Sequence, residues 1–248
     1  MPGGLSRLVN GARKHLGDNL NPEDGYLSYY DVRYLEREQL SSFPKASIVL
    51  LRPSMSFLLM NSQDPILLKE VLPNFTGTTH VFLPINDNTD VTQAEGGSHW
   101  SLLVVSVIDG VAFHYDSMSN ANDREARSTT FKLEQLLGTH HPLRYLPMLD
   151  APQQENGSDC GVFVCLVMKH LLLHRLLRAD ASRKITMSMR DAHIHPKDGR
   201  KLMLRIIEER KKEAERRRSR SLSPYRPKSA QSKTPPRIGA ENDDLASH

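Results

Sequence analysis

The chain of 248 residues is long enough to bury one sizeable hydrophobic core, and its 38% apolar content lies in the range of globular proteins. Its charge is uneven, because residues 1–195 carry 18 Lys and Arg against 21 Asp and Glu, whereas residues 196–248 carry 15 against 8. The basic character of the sequence therefore belongs to its C-terminal part.

Cysteine usage excludes a disulfide framework. Cys160 and Cys165 are the two cysteines, and their spacing on one predicted helix puts their side chains on different faces. The first residues lack an apolar stretch of signal-peptide length, and the most apolar window, SIVLLRPSMSFLLM, is interrupted by Arg52 and Pro53. We expect an intracellular protein in a reducing compartment, with no membrane-spanning segment.

The N-terminal part of the sequence predicts little regular structure before residue 26. Residues 1–25 are rich in Gly, Asn and charge, which predicts a flexible segment. The apolar spacing of YLSYYDVRYLEREQL is roughly helical. The later segment DPILLKEVLPNF predicts a short amphipathic helix capped by Asp64 and closed by Pro73.

The central part of the sequence predicts strands flanked by helices. The apolar, β-branched runs THVFLPIND and HWSLLVVSVIDG predict buried strands, and the Asp-Gly pair before VAFHYDS predicts a hairpin over residues 100–116. Three elements follow in order: an amphipathic helix DREARSTTFKLEQLLG ending at Gly138, a strand LRYLPML, and a long apolar helix GVFVCLVMKHLLLHRLLRAD. This order predicts the α+β class, a mixed β-sheet covered by helices.

The C-terminal part predicts a basic tail. From Pro196 the sequence is compatible with a charged helix, and we expect residues 219–248, which are rich in Ser, Pro, Lys and Arg, to be disordered. The basic cluster is interpreted as a solvated extension or a nuclear import signal. Nucleic-acid binding is not expected, because aromatic residues are nearly absent from the cluster.

Cys160 is the first candidate for chemistry. The first turn of a helix favours a thiolate, because backbone N–H groups point at the sulfur, and Cys160 lies at such a position between Gly157 and Gly161. The alternative is a small buried apolar residue that happens to begin a helix. Cys165, one and a half turns further along, is expected to pack in the core.

His99 and Asp116 are the candidates for a base and its partner. His99 follows the glycine turn EGGS and precedes a strand, while Asp116 ends the neighbouring strand, so a hairpin would place both at one edge of the sheet. The alternative is a surface histidine and a turn-forming aspartate. His170 and His174 share a helix face, but no further ligands accompany them, and we expect no metal site.

Three motifs together, GGSHWSLLVV, FHYDS and QQENGSDCGVFVC, resemble the Ulp/sentrin-specific cysteine proteases, and within that family the deneddylase branch. The order and spacing agree, with His99 and Asp116 seventeen residues apart and Gln154 six before Cys160. The likeness extends to VFLPINDN and LSYYDV and covers roughly residues 26–178. It implies a papain-like, Ulp-type protease domain over residues 26–195, followed by a basic extension over residues 196–248.

The resemblance implies a role for each site residue. Cys160 would be the nucleophile, His99 the base, and Asp116 the group that fixes the imidazole tautomer. Gln154 would donate its side-chain amide to the oxyanion, and Trp100 would form one wall of a tunnel for the modifier's Gly-Gly tail. The implied activity is cleavage after that Gly-Gly, without a cofactor, in the nucleus and cytoplasm. The implied partners are a ubiquitin-like modifier and its conjugates, including neddylated cullins.

One departure from the family leaves alternatives open. Family members carry a Trp-Leu-Asn-Asp or similar element after the LSYYDV-like segment, and none follows Leu40 here, where Phe43 is the candidate replacement wall. Either the substrate channel is built differently, or the chain is a shortened version that binds its modifier poorly. A modifier-binding module with little activity and an acyltransferase of related fold are therefore the alternative functions.

Overall fold

The structure is a computed structural model that describes residues 47–93, 96–177 and 185–222. Five strands in these ranges form one sheet: β1 (Ile48–Leu50), β2 (His80–Asn86), β3 (Trp100–Ser106), β4 (Val111–Tyr115) and β5 (Arg144–Pro147). They lie side by side in chain order. The pairs β1–β2 and β4–β5 are parallel, and the pairs β2–β3 and β3–β4 are antiparallel. The predicted mixed sheet of the α+β class is confirmed.

Four α-helices accompany the sheet in the described residues: α1 (Pro53–Asn61), α2 (Asp123–Leu137), α3 (Cys160–His170) and α4 (Pro196–Leu222). A 3₁₀ turn spans Pro65–Leu68, and a π-helical segment, Leu171–Leu176, continues α3. The chain divides into two units between Glu209 and Arg210, within α4. None of the described helices is both long and apolar enough to cross a membrane.

Helices cover both faces of the sheet, which explains why the strands read as nearly continuous apolar runs. Successive side chains of a strand point to opposite faces, so the central strands contribute to two cores. Phe82 and Leu102 pack with α3 in one core, whereas Leu83 and Leu103 pack with α1 and α2 in the other.

The predicted hairpin is confirmed, and its register positions the candidate site. β3 and β4 pair from Leu102 opposite Tyr115 to Ser106 opposite Val111, and the turn between them closes at Gly110 with a φ of 64°. The start of β3 therefore lies beside the end of β4.

The predictions for α2, β5 and α4 are also confirmed. α2 ends at Gly138, whose left-handed φ of 61° terminates the helix in the usual way. α4 continues to Leu222, so the first residues of the segment predicted to be disordered are helical; the rest of that segment lies outside the described residues.

Two predicted helices were wrong in detail. The segment after Asp64 forms only a four-residue 3₁₀ turn, although the Asp64 side chain accepts a hydrogen bond from the Ile66 N–H as predicted. Leu68 and Leu72 of this segment are buried in the core and Phe75 packs against it partly buried, so the segment contributes its apolar residues without a regular α-helix. The long apolar helix keeps α-helical bonding only to His170.

Several predictions fall outside the described residues. The helical pattern of YLSYYDVRYLEREQL, the flexible segment 1–25 and the candidate wall Phe43 all precede residue 47.

Candidate active site

His99 and Asp116 meet at the edge of the sheet where β3 begins and β4 ends. The His99 Nε2 atom lies 2.6 Å from the Asp116 Oδ1 atom, and the residues are only 3% and 2% exposed. The hairpin register accounts for this contact, because each residue directly flanks one of the two paired strands. The two residues that the sequence analysis placed at one edge are thus in direct contact.

The backbone of His99 is fixed by polar side chains at the end of β2 and before α2. Asp87 accepts hydrogen bonds from the backbone N–H groups of Ser98, at 2.6 Å, and His99, at 3.0 Å. The side-chain amides of Asn86 and Asn122 donate to the His99 carbonyl at 3.2 and 3.3 Å. The histidine therefore enters the site from a backbone that is held on both sides of its Cα atom.

Asp116 is held by two backbone N–H groups besides the imidazole. Its Oδ1 atom accepts from Met118 at 2.8 Å, and its Oδ2 atom accepts from Asn122 at 2.9 Å. Burial by itself raises the pKa of Asp116, but the hydrogen bonds from His99, Asn122 and Met118 outweigh it and lower the pKa below the ordinary value. Asp116 is therefore an ionised carboxylate with a fixed orientation.

Cys160 is the first residue of α3 and is buried beside the imidazole. Burial alone raises the pKa of the Cys160 thiol, but the neighbouring imidazole of His99 and the backbone N–H groups of Trp100 and Gly161 lower it overall. Burial alone lowers the pKa of His99, but Asp116 and Cys160 raise it to about 9. The two groups therefore favour a thiolate and an imidazolium.

The two ring nitrogens of His99 have different surroundings. Nε2 is taken by Asp116, whereas the buried Nδ1 atom has no hydrogen-bond partner within the usual limits in the described part of the chain. Nδ1 is thus the nitrogen left for the thiol, and such contacts in a resting site often tighten only when substrate binds.

Gln154 lies six residues before Cys160, in the loop that leads into α3. Its side-chain oxygen accepts from the Ser117 hydroxyl at 2.7 Å, and its Nε2 atom donates to the Asn156 carbonyl at 2.6 Å. An amide nitrogen carries two N–H groups, so the bond to Asn156 uses only one of them. Gln154 is therefore an oriented donor tied to the residue after Asp116.

Trp100, at the start of β3, is half-buried and lines a pocket between the sheet and α3. Asp116, Ser117 and Phe163 line the same pocket. The tunnel predicted from the resemblance needs an opposite wall, and its candidate, Phe43, lies outside the described residues.

A buried polar network next to the His99–Asp116 pair (the dyad) was not predicted from the sequence. The fully buried His114 contacts the Ser101 hydroxyl through Nε2 at 2.9 Å and the Tyr145 hydroxyl through Nδ1 at 2.8 Å. Tyr145 in turn donates to Asp123 at 3.0 Å. Asn122 joins this network to the dyad, because its amide donates to Ser101 and its backbone N–H to Asp116.

The sequence carried a partial signal for these positioning residues. Asn86 and Asp87 belong to the VFLPINDN segment noted in the resemblance, where two polar residues end a buried strand. His114 lies within the FHYDS motif, but a histidine inside a strand does not by itself indicate a role, and Asn122, an asparagine before a helix, lies in none of the motifs.

The other histidine pair stays apart from this site. The rings of His170 and His174 lie 5.3 Å apart between centroids on α3 and its π-helical continuation. In the described part of the chain, no three His, Cys, Asp or Glu side chains are grouped as metal ligands would be.

Comparison with known proteins places this geometry in a family. Residues 67–204 match the model of the Ulp1 protease family, C-terminal catalytic domain. NEDD8-specific protease 2 of Schizosaccharomyces pombe is 36% identical over 183 residues, which are 72% of this chain and 42% of the relative. NEDD8-specific protease 1 of Arabidopsis thaliana is 38% identical over 120 residues, 48% of this chain and 53% of the relative. Sentrin-specific protease 8 of Homo sapiens is 45% identical over 84 residues, 34% of this chain and 39% of the relative.

The chain spans about half or less of the length of these curated relatives. Among solved structures, the Xanthomonas XopD C470A mutant has 21% sequence identity and a TM-score of 0.48, with 73% of this chain and 97% of that chain covered.

Proposed function

Because the chain belongs to the Ulp1 protease family, we propose that it is a thiol protease that cleaves after the C-terminal Gly-Gly of a ubiquitin-like modifier. The observation that carries the proposal is the buried 2.6 Å contact between His99 and Asp116, with Cys160 beside the same imidazole. We further propose NEDD8 as the modifier, since two of the relatives are named as NEDD8-specific proteases.

The first half of the reaction is acylation of the cysteine. The Cys160 thiolate attacks the carbonyl carbon of the last glycine, and a C–S bond forms while the carbonyl oxygen takes up the negative charge. The Gln154 amide and a backbone N–H at Cys160 are the proposed donors to that oxygen. When the C–N bond breaks, His99 gives its proton to the leaving amine and becomes neutral.

The second half is hydrolysis of the thioester. His99 now takes a proton from a water molecule, the resulting hydroxide attacks the thioester carbonyl, and the C–S bond breaks. The modifier leaves with a free carboxylate, and Cys160 and His99 return to the charged pair. Asp116 keeps the imidazole in one orientation through both steps and stabilises its protonated form.

The alternatives have less support. A binding module with little activity has no need for a thiol whose pKa is lowered by a fixed histidine, and this chain has one. The three relatives are named as proteases, which favours hydrolysis over acyl transfer.

A panel of substrates tests the proposal. The substrates are NEDD8, SUMO and ubiquitin, each carrying a fluorogenic amine on the C-terminal glycine. We expect the NEDD8 substrate to be hydrolysed fastest, and the Cys160→Ala variant to hydrolyse none of them. Cys165→Ala is the matched control, because it removes the other cysteine from the same helix and should retain activity. Absence of hydrolysis of all three substrates by the unmodified chain would contradict the proposal.

A further inference from the structure

Arg200 of α4 forms hydrogen bonds to the loop that carries the proposed oxyanion donor and leads to the nucleophile. The Arg200 Nε atom donates to the Asp159 Oδ1 atom at 2.6 Å, and its second guanidinium nitrogen, Nη2, donates to the Ser158 carbonyl at 2.6 Å. Asp159 is the residue directly before Cys160. One side chain thus holds both the backbone and the side chain of the loop immediately before the nucleophile.

The grip continues through hydrogen bonds to Gln154. The Asp159 Oδ2 atom accepts from the Asn156 side chain at 2.7 Å, and the Asn156 carbonyl accepts from Gln154 at 2.6 Å. Arg200, Asp159, Asn156 and Gln154 therefore form an unbroken chain of contacts. It ends on the side chain proposed to stabilise the oxyanion.

The Asp159 carboxylate binds Arg200 and Asn156 and does not cap its own helix, α3. Asp159 is the N-cap of α3, where an aspartate usually accepts a hydrogen bond from an N–H of the first turn. Here its side chain makes no such bond, because its oxygens face Arg200 and Asn156. The side chain of Asp159 is 11% exposed and that of Arg200 is 39% exposed, so the pair is partly shielded from water.

The position of Arg200 is fixed by close packing of α4 on α3. A Cβ atom added to Gly199 would lie 2.7 Å from the Leu166 Cδ1 atom, so the helices approach as closely as a glycine allows. Met203 and Ile206, further along α4, are buried in the core that α3 shares with the sheet. The guanidinium is therefore delivered to the loop by a docked helix rather than by a free surface side chain.

We propose that Arg200 is a positioning residue for the cleavage reaction, holding the Gln154–Cys160 segment in the geometry that the oxyanion requires. The inference rests on the proposed function of the site. The proposal means that α4, which begins in the basic part of the chain, contributes to the rate of turnover. Loss of the contact displaces Gln154 and the Cys160 N–H from the developing charge, and misplacement of about 1 Å can lower turnover about 100-fold.

The test compares Arg200→Met, which keeps the apolar stem, with Arg200→Lys, which keeps the charge. Lys201→Ala is the matched control, because Lys201 is the next residue of α4, exposed, and paired only loosely with Asp198 at 3.8 Å. For a Gly-Gly fluorogenic modifier substrate, we expect Arg200→Met to lower kcat about 10-fold to 100-fold with KM within about 3-fold. Arg200→Lys should recover part of kcat, and Lys201→Ala should match the unmodified chain.

A double-mutant cycle distinguishes positioning from general destabilisation. If Arg200 acts through Gln154, Arg200→Met should cost much less in kcat when Gln154 is already alanine. Alkylation of Cys160 by iodoacetamide needs no oxyanion donor, so its rate in Arg200→Met should stay within about 3-fold of the unmodified chain.

The outcomes separate the inference from the function on which it rests. Equal kcat for Arg200→Met and Lys201→Ala, or losses that multiply fully in the cycle with Gln154→Ala, would overturn the positioning role while leaving the protease intact. An unmodified chain whose Cys160 is alkylated but which cleaves no modifier substrate would instead overturn the proposed function, and the positioning role with it.

Discussion

At the imidazole of His99, two neighbours act in the same direction. The carboxylate of Asp116 on Nε2 and the thiolate of Cys160 both favour the protonated ring, and together they raise the pKa of His99 to about 9 against the effect of burial. The same proton lowers the pKa of the thiol. The thiolate and the imidazolium therefore stabilise each other's charge.

The pH dependence of the rate follows from this pair. We expect kcat/KM to rise with pH as Cys160 loses its proton and to fall as His99 loses its proton, near pH 9. In Asp116→Asn the hydrogen-bonded charge is gone, so the descending limb should move to lower pH. The measurement is a pH–rate profile of both proteins, and a flat profile or an unmoved limb would count against the charged pair.

Gln154 should contribute chiefly to turnover. Removal of one oxyanion donor typically lowers kcat by about 10²–10³-fold, and we expect Gln154→Ala to fall in that range with little change in KM. Gln135→Ala is a suitable control, since Gln135 is an exposed glutamine on α2. Steady-state kinetics that show a loss below about 3-fold for Gln154→Ala would remove it from the proposed mechanism.

His114 should make stability depend on pH. Burial lowers its pKa to about 4, so the unfolded chain takes up a proton near pH 6.5 that the folded chain refuses until about pH 4. The free energy of unfolding should therefore decrease as the pH falls through this window, by up to about 3 kcal/mol from this residue.

Urea denaturation at a series of pH values measures this contribution. The decrease between pH 6.5 and 4 should be smaller in His114→Gln than in the unmodified chain, whatever the absolute stability of the variant. Equal decreases in the two proteins would mean that His114 is not held neutral by the fold.

At the scale of elements, the glycine turn before β3 determines where His99 can lie. Gly97 has a φ of +88°, and an added Cβ atom would collide with the side chains of Asn86 and Asp87. Both of these side chains bind the His99 backbone. The absence of a side chain at Gly97 therefore leaves the space in which Asn86 and Asp87 contact the backbone of His99.

Gly97→Ala should damage both stability and activity. Gly77 is a matched control, because its φ is +74° but nothing lies within 4 Å of an added Cβ atom. Gly77→Ala should cost only the backbone strain, about 1–2 kcal/mol, and keep its activity. Gly97→Ala should lose more free energy of unfolding, as measured by thermal denaturation, and most of its turnover. Identical behaviour of the two variants would contradict the role of Asn86 and Asp87 in holding the His99 backbone.

The elements that could be predicted are those with a local signal. The β3–β4 hairpin has an apolar period and an Asp-Gly turn, and α2 has charged first-turn residues and Gly138 at its end. The prediction did not separate β1 from α1, because both lie within one apolar window and only Leu51 and Arg52 lie between them. Pro53 is favourable at the first position of a helix, which the structure uses.

The 3₁₀ turn and the π-helical segment lack such signals. Apolar spacing over Pro65–Leu68 and Leu171–Leu176 is compatible with an α-helix, and the choice between bonding patterns depends on tertiary packing. No local pattern reports that choice.

At the scale of the whole molecule, the candidate site combines four parts of the chain. His99 and Asp116 come from one hairpin, Gln154 and Cys160 from the loop and start of α3, Asp87 from the end of β2, and Arg200 from α4. The sequence motifs predicted four of these residues, namely His99, Asp116, Gln154 and Cys160. Arg200 could not be predicted, because it lies in a stretch dominated by basic residues, and the burial of Met203 and Ile206 that docks α4 depends on tertiary packing.

The most direct test is covalent capture by NEDD8 carrying an electrophile in place of its C-terminal carboxylate, followed by mass spectrometry of the tryptic peptides. We predict a single adduct on Cys160 that is absent in Cys160→Ala and strongly slowed in His99→Ala. An adduct on Cys165 or on another residue, or no adduct from a folded chain, would contradict the claim that Cys160, His99 and Asp116 form one nucleophilic site.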